Sequence, residues 1–143
     1  MYGVDYSAAS VAAARRTNAA AVESGRVTIE QGTVSRLAFP DAALDLVTAV
    51  ETHYYWPDLV ADLREILRVL KPGGRLVIIA EAYKRTRFSP EIVPMALLRA
   101  RYLTAAEHRD ALAAAGCDEI AIHEERSKGW ICAVGRKPDT GRS

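Results

Sequence analysis

The run Glu51-Thr52-His53-Tyr54-Tyr55-Trp56 is the richest polar and aromatic cluster in the sequence. His53 is its natural general-base candidate, because an imidazole titrates near neutral pH and can take up or release a proton there. Tyr54, Tyr55 and Trp56 offer electron-rich faces that could wall in a cationic group, and Tyr54 adds a hydroxyl. The plainer reading has Trp56 and one tyrosine packing beneath the helix that follows. A second chemical position is Asp5, at the end of Tyr2-Gly3-Val4-Asp5, where a strand meets a helix. A carboxylate there can accept both hydroxyls of a ribose, as in dinucleotide-binding folds. It can equally cap the next helix near the positive end of its dipole.

The elements that must position these groups are readable from patterning. Ser7 is an expected N-cap, and the alanine-rich run Ala8 to Val22 predicts a helix stopping at Gly25. Alternation over Val27, Ile29 and Gln31 predicts a short strand that ends at Gly32. Leu44 to Val50 is almost continuously apolar, as expected of a central strand covered on both faces. The cluster at 51–56 leaves its carboxyl end, where open α/β sheets place ligands. Pro57 suits the first turn of a helix, and Leu59, Leu63, Ile66, Leu67 and Leu70 give that helix one apolar stripe. Lys71-Pro72-Gly73-Gly74 ends it, and Arg75 to Ala82 reads as another buried strand.

From Tyr83 to Leu103 the sequence is irregular, with Pro90, Pro94, Lys84, Arg85, Arg87, Arg99 and Arg101 interleaved with Phe88 and Tyr102. It reads as an insertion or lid whose charges either face an acidic ligand or are simply solvated. Thr104-Ala105-Ala106-Glu107 is a capping box for a helix reaching Gly116. Asp118 to Glu124 and Lys128 to Arg136 are joined by so few residues that they must be antiparallel. Residues past Pro138 are expected to fray. His108 and His123 fall on a helix surface and a late strand and receive no role. The order of elements implies an open α/β sheet, mostly parallel, with helices on both faces and a closing hairpin.

The 143 residues suit one domain, 1–138, with 139–143 as a tail. Half are hydrophobic and 26% charged, an ordinary globular composition that excludes disorder and collagen. A net charge of +1 lacks the broad positive field of nucleic-acid binders. No apolar run approaches the ~20 residues of a membrane span, so a cytoplasmic protein without membrane partner is expected. Cys117 and Cys132 lack C-x-x-C spacing and a histidine neighbour suited to zinc, and are expected to be buried, reduced thiols with no metal role.

Gly3-Val4-Asp5-Tyr6-Ser7, Leu37-Ala38-Phe39-Pro40-Asp41, Leu44-Asp45-Leu46-Val47, Leu67-Arg68-Val69-Leu70-Lys71-Pro72-Gly73-Gly74-Arg75-Leu76 and Gly129-Trp130 together resemble class I S-adenosylmethionine-dependent methyltransferases of the small-molecule type. The resemblance runs from about Tyr2 to Pro138, and the VLKPGG turn is its most specific piece. It implies a Rossmann-like sheet in the order 3-2-1-4-5-7-6, of which this chain would supply strands 2 to 7. The first strand, its glycine-rich loop and the next helix are then absent. None of the nine glycines forms a G-x-G spacing. The chain is therefore expected to be a piece of a longer product, and if it folds alone, strand exchange in a homodimer is the expected repair.

The resemblance also assigns roles. Asp5 would take the cofactor's ribose hydroxyls and Tyr6 would pack on its adenosine. The family usually has an acidic residue for the adenine amino group, whereas here Thr33 would offer its hydroxyl and Val34 its backbone N–H. Val50 and Glu51 are the further candidates for cofactor contact, and the catalytic candidates are His53 as general base and Tyr54 in the aromatic wall around the positive sulfur. The implied function is transfer of a methyl group from S-adenosylmethionine to a small molecule. Two other readings stand beside it. One is a non-catalytic Rossmann-like binding or assembly module, and the other a nicotinamide dehydrogenase, disfavoured by the closing hairpin.

Overall fold

The computed structural model describes residues 1–81, 83 and 100–139. It divides into two compact units, Met1–Ala38 and Phe39–Ser143.

In the first unit, β1 (Tyr2–Asp5) is followed by α1 (Ala8–Thr17), α2 (Ala19–Glu23) and β2 (Thr28–Gln31). The two strands are parallel, from Tyr2 opposite Thr28 to Asp5 opposite Gln31. Ser7 caps α1 as expected, its hydroxyl accepting from the Ser10 amide at 3.3 Å. Instead of one helix to Val22 there are two, broken at Asn18. The Asn18 side-chain amide donates to the Ala14 carbonyl at 2.8 Å, a local bond that competes with the helical ladder. Arg15 ties α1 to β2 by donating from Nε to the Ile29 carbonyl at 2.8 Å, and Val11 and Ile29 are the buried positions.

The second unit contains β3 (Leu44–Val50), a single 3-10 turn at His53–Tyr55, α3 (Leu59–Val69), β4 (Leu70–Ala80), α4 (Ala105–Ala115), β5 (Asp118–Glu125) and β6 (Trp130–Arg136). Its sheet order is β3-β4-β6-β5, with β3 and β4 parallel and the other neighbours antiparallel. This is the 4-5-7-6 part of the order implied by the resemblance, and β2-β1 is the 3-2 part. The α/β class and the closing hairpin are as expected.

Further details of this unit differ from the sequence reading. Among the described residues β3 pairs only with β4, so it is an edge rather than a central strand, and Leu46 and Val50 are 55% and 52% exposed. Helix α3 begins after Pro57, because Asp58 is its N-cap and accepts from the Ala61 amide at 3.1 Å. Strand β4 reaches back through Lys71-Pro72-Gly73-Gly74: Leu70 pairs with Leu44, and the register then shifts so that Leu46 faces Arg75. The shift needs both glycines. Gly73 adopts φ +75°, and a Cβ on Gly74 would lie 2.8 Å from the Lys71 carbonyl oxygen.

The α3 stripe is buried as the spacing predicts, with Leu63 at 0% and Ile66 at 1% exposure. This helix lies against α4 and β4. The capping box of α4 is complete: Thr104 Oγ1 accepts from the Glu107 amide at 3.1 Å, and Glu107 Oε2 accepts from the Thr104 amide at 2.7 Å. Both cysteines are free and half-buried rather than buried, and burial pushes the Cys117 thiol up to about 11. A Cβ on Gly135 of β6 would meet Cys117 Sγ at 2.7 Å and Leu112 Cδ2 at 3.2 Å. Gly135→Ala is therefore expected to destabilise by about 1–3 kcal/mol in urea unfolding, as overpacked cores do. Adding Cys117→Ala should recover part of that loss; a loss unchanged in the double variant would place the strain elsewhere. Among the described residues no helix is long and apolar enough to cross a membrane.

Candidate functional site

The candidate residues fall into two sets, one in each unit. In the first unit, Asp5 closes β1 and is half-buried, with Oδ1 accepting from the Ser7 amide at 2.7 Å. This is the capping contact that the sequence allowed, and it leaves Oδ2 with no hydrogen bond among the described residues. Gly32 donates its amide to the Asp5 carbonyl at 3.0 Å, which holds the start of the β2 exit loop beside the end of β1. Thr33 follows it, exposed, and is bridged to Arg36, while Val34 is half-buried. Tyr6 is 73% exposed, so it is a surface ring and not part of the core. Unit 1 thus places Asp5, Tyr6 and Thr33 at one end of a parallel strand pair, the end where such folds bind ligands.

In the second unit, Val50 ends β3 and Glu51 turns the chain at φ +56°, in the left-handed region that a non-glycine residue rarely adopts. Two side-chain contacts hold that turn. Glu51 Oε1 accepts from the Glu81 backbone amide, and Oε2 accepts from the Tyr54 hydroxyl at 3.2 Å. Strained backbone over-determined in this way tends to gather at functional positions. Tyr54 is 3% exposed, and its ring meets Tyr102 edge-on at 5.4 Å. It belongs to a small core cluster with Ala80, Tyr83 and Ile131. Tyr55 remains 49% exposed and Trp56 half-buried, so the packing reading falls to Tyr54 more than to its neighbours.

His53 is buried at 3% exposure, with its ring 4.3 Å from that of Tyr54. Its Nε2 lies 3.1 Å from Nε2 of His108, and its Nδ1 is buried with no hydrogen-bond partner among the described residues. Burial first, and His108 second, push the His53 pKa down to about 3. The ring is neutral at physiological pH and can accept a hydrogen bond there. His108 itself is 2% exposed, which corrects the expectation of a helix-surface histidine. The signal was present in the sequence: His108, Ala111 and Leu112 share one face at three- and four-residue spacing, and all three are buried. Tyr83 was also missed; its hydroxyl donates to Glu124 Oε1 at 2.7 Å and lowers that carboxyl's pKa. Of the proposed lid, Lys84, Arg85, Arg87, Phe88, Pro90, Pro94 and Arg99 lie outside the described residues, whereas Arg101 donates its amide to the Tyr54 carbonyl at 2.9 Å.

Comparison with known proteins gives a consistent result. The methyltransferase domain family matches residues 1–78. The ubiquinone/menaquinone biosynthesis C-methyltransferase UbiE of Geobacter sulfurreducens is 38% identical over 97 residues, covering 68% of this chain and 38% of that relative. The match thus spans less than half the length of this curated relative. The [4+2]-cyclase SpnF superposes with a TM-score of 0.79 at 21% identity, covering 96% of this chain and 66% of that one. A geranyl diphosphate methyltransferase in complex with SAM superposes with a TM-score of 0.76 at 15% identity, covering 95% and 68%. At these identities the superpositions establish the Rossmann-like fold alone, and the cyclase shows that the fold does not fix the reaction. With more than half of its residues matched to that family, from β1 into β4, the chain belongs to the methyltransferase domain family.

Proposed function

We propose that this chain serves methyl transfer from S-adenosylmethionine to a small-molecule acceptor. The observation that carries the reading is Asp5: a strand-end carboxylate within the family-matched region, one oxygen anchored on Ser7 and the other without a hydrogen bond among the described residues. Two ribose hydroxyls can donate to such a carboxylate, because each oxygen has a lone pair to spare beyond the Ser7 contact. The residues of this unit therefore fit the nucleoside part of the cofactor. Tyr6, exposed beside Asp5, would stack on the adenosine, and Thr33 Oγ1 and the Val34 amide would meet the adenine edge.

In the second unit Val50 and Glu51 would line the cofactor's path, with Glu51 also orienting the Tyr54 hydroxyl. When bound, the cofactor supplies an electrophilic methyl carbon on a positively charged sulfur. The chain's part is to align a nucleophile with it and to receive the proton that the nucleophile sheds. His53 is the proposed receiver, through Nδ1. Burial keeps that ring neutral at physiological pH, so Nδ1 has a lone pair with which to take up the proton as the new bond forms. We place the protein in the cytoplasm, a reading supported by its two free cysteines.

The test is calorimetric titration with S-adenosylhomocysteine. Micromolar binding is expected, weakened roughly 10- to 100-fold by Asp5→Ala, as loss of a charge-assisted pair of hydrogen bonds implies. Binding that is indifferent to Asp5→Ala would remove the carboxylate from the site. Absence of binding would move the non-catalytic module to the front.

A further inference from the structure

His53 and His108 are 55 positions apart in sequence, yet their Nε2 atoms lie 3.1 Å apart inside the second unit. A third partner fixes where the protons sit. His108 Nδ1 is 2.8 Å from the Thr104 carbonyl oxygen, which can only accept. Nδ1 of His108 therefore carries its proton, and in the neutral ring Nε2 is bare and accepts. The hydrogen between the two rings must then belong to His53 Nε2. This leaves His53 Nδ1 as a bare acceptor, buried and without a partner among the described residues. The order of donation is His53 to His108 to Thr104, anchored at the N-cap of α4 by the capping box.

We propose that His108 is a positioning residue for His53: the Thr104 carbonyl and the His108 ring together hold His53 as its Nε2–H tautomer, so that Nδ1 is a fixed hydrogen-bond acceptor for an O–H or N–H group of the methyl acceptor. The inference rests on the proposed role of His53 and narrows it. An acceptor-only nitrogen recognises substrates that carry a donor, hydroxyls or amines, and gives nothing to a nucleophile without one. A buried acceptor left unpaired carries a free-energy penalty that a donor relieves, so the unpaired Nδ1 favours such ligands. Neither ring is charged at neutral pH, since burial lowers both pKa values, and the two N–H groups do not face one another. Of the charged groups near the pair, the Glu107 carboxylate pulls the His108 pKa upward, and the Thr104 carbonyl acts in the same direction.

The experiment is long-range proton–nitrogen spectroscopy of the full chain with its histidines labelled. The expected spectrum shows His108 protonated at Nδ1, His53 protonated at Nε2, and a coupling across the hydrogen bond between the two Nε2 atoms. His108→Leu removes the acceptor, and exchange of the His53 Nε2 proton with water should become about tenfold faster or more. His108→Gln supplies a carbonyl oxygen near the same place and should restore slow exchange. If His108 is protonated at Nε2, or if exchange is the same in all three proteins, the proposal is overturned. Should His108→Leu fail to fold, the wild-type tautomers and the coupling decide alone. Failure of S-adenosylhomocysteine to bind, with this spectrum intact, would overturn the methyltransferase reading and leave the tautomer relay standing.

Discussion

Lowering the pH from 7 to 5 is expected to remove about 2 kcal/mol of folding stability through His53 alone. In the folded chain burial and His108 hold the His53 pKa near 3, against 6.5 for an unperturbed histidine. Between those values the unfolded chain binds a proton that the folded chain refuses. Stability therefore rises with pH across the window, is fully present above about 6.5, and is lost as the pH falls toward 3. His108 acts in the same direction, because burial lowers its pKa as well, against the opposing pull of the Thr104 carbonyl and Glu107. The lowered pKa values of Glu124 and Glu125 mean that their contributions are lost only below the carboxylate range of about 4.5, outside the pH 5–7 interval. Urea unfolding at pH 7, 6 and 5 is the measurement. A stability flat across that interval would mean that the pair is protonated or solvated in the folded state.

The acid-sensitive pair is also what the sequence least disclosed. Local rules worked wherever a few neighbouring residues decide the structure. Thr104 and Glu107 announced a capping box and formed it with both bonds, and Ser7 caps α1 as its position suggested. The tight connection between β5 and β6 left no option but a hairpin. What failed depended on distant partners. His53 was legible as a polar group at a strand exit, but it is buried against His108, 55 positions away on α4, a partner that no local window contains. The apolar run Leu44–Val50 reads as a strand buried on both faces, yet periodicity cannot say how many neighbours a strand has, and β3 has one among the described residues. Asn18 shows the opposite error: an alanine-rich run overrode a residue whose side chain competes for the backbone. Of the candidate site, the strand-end positions Asp5 and Glu51 were legible because topology alone places them. The contacts that occupy their carboxylates, Ser7 on one and Tyr54 with Glu81 on the other, were not.

Leu63→Ala is expected to have the largest effect of any single truncation in α3, a loss of about 2–5 kcal/mol, which for a domain of ordinary stability is a large share of the total. Leu63 is fully buried at 0% exposure, in the middle of the stripe formed by Leu59, Ile66 and Leu67. The helix it belongs to rests on both β4 and α4, so the void left by three missing carbons is bordered by a helix and a sheet. Neither can close on the gap without breaking its own hydrogen bonds, and the cavity term therefore adds to the lost transfer energy. The comparison that isolates this cause is Leu46→Ala. It deletes the same atoms from β3, where the side chain is 55% exposed, and should change stability by no more than about 0.5 kcal/mol. Equal losses for the two would mean that the exposed face of β3 is covered in solution, and would place Leu46 in a buried contact. A small loss for Leu63→Ala would mean that α3 repacks against its neighbours, and the His53–His108 pair, whose second ring is carried by α4, is where that movement would be read. The denaturant midpoint and the His53–His108 coupling, recorded on the same variant, separate those outcomes.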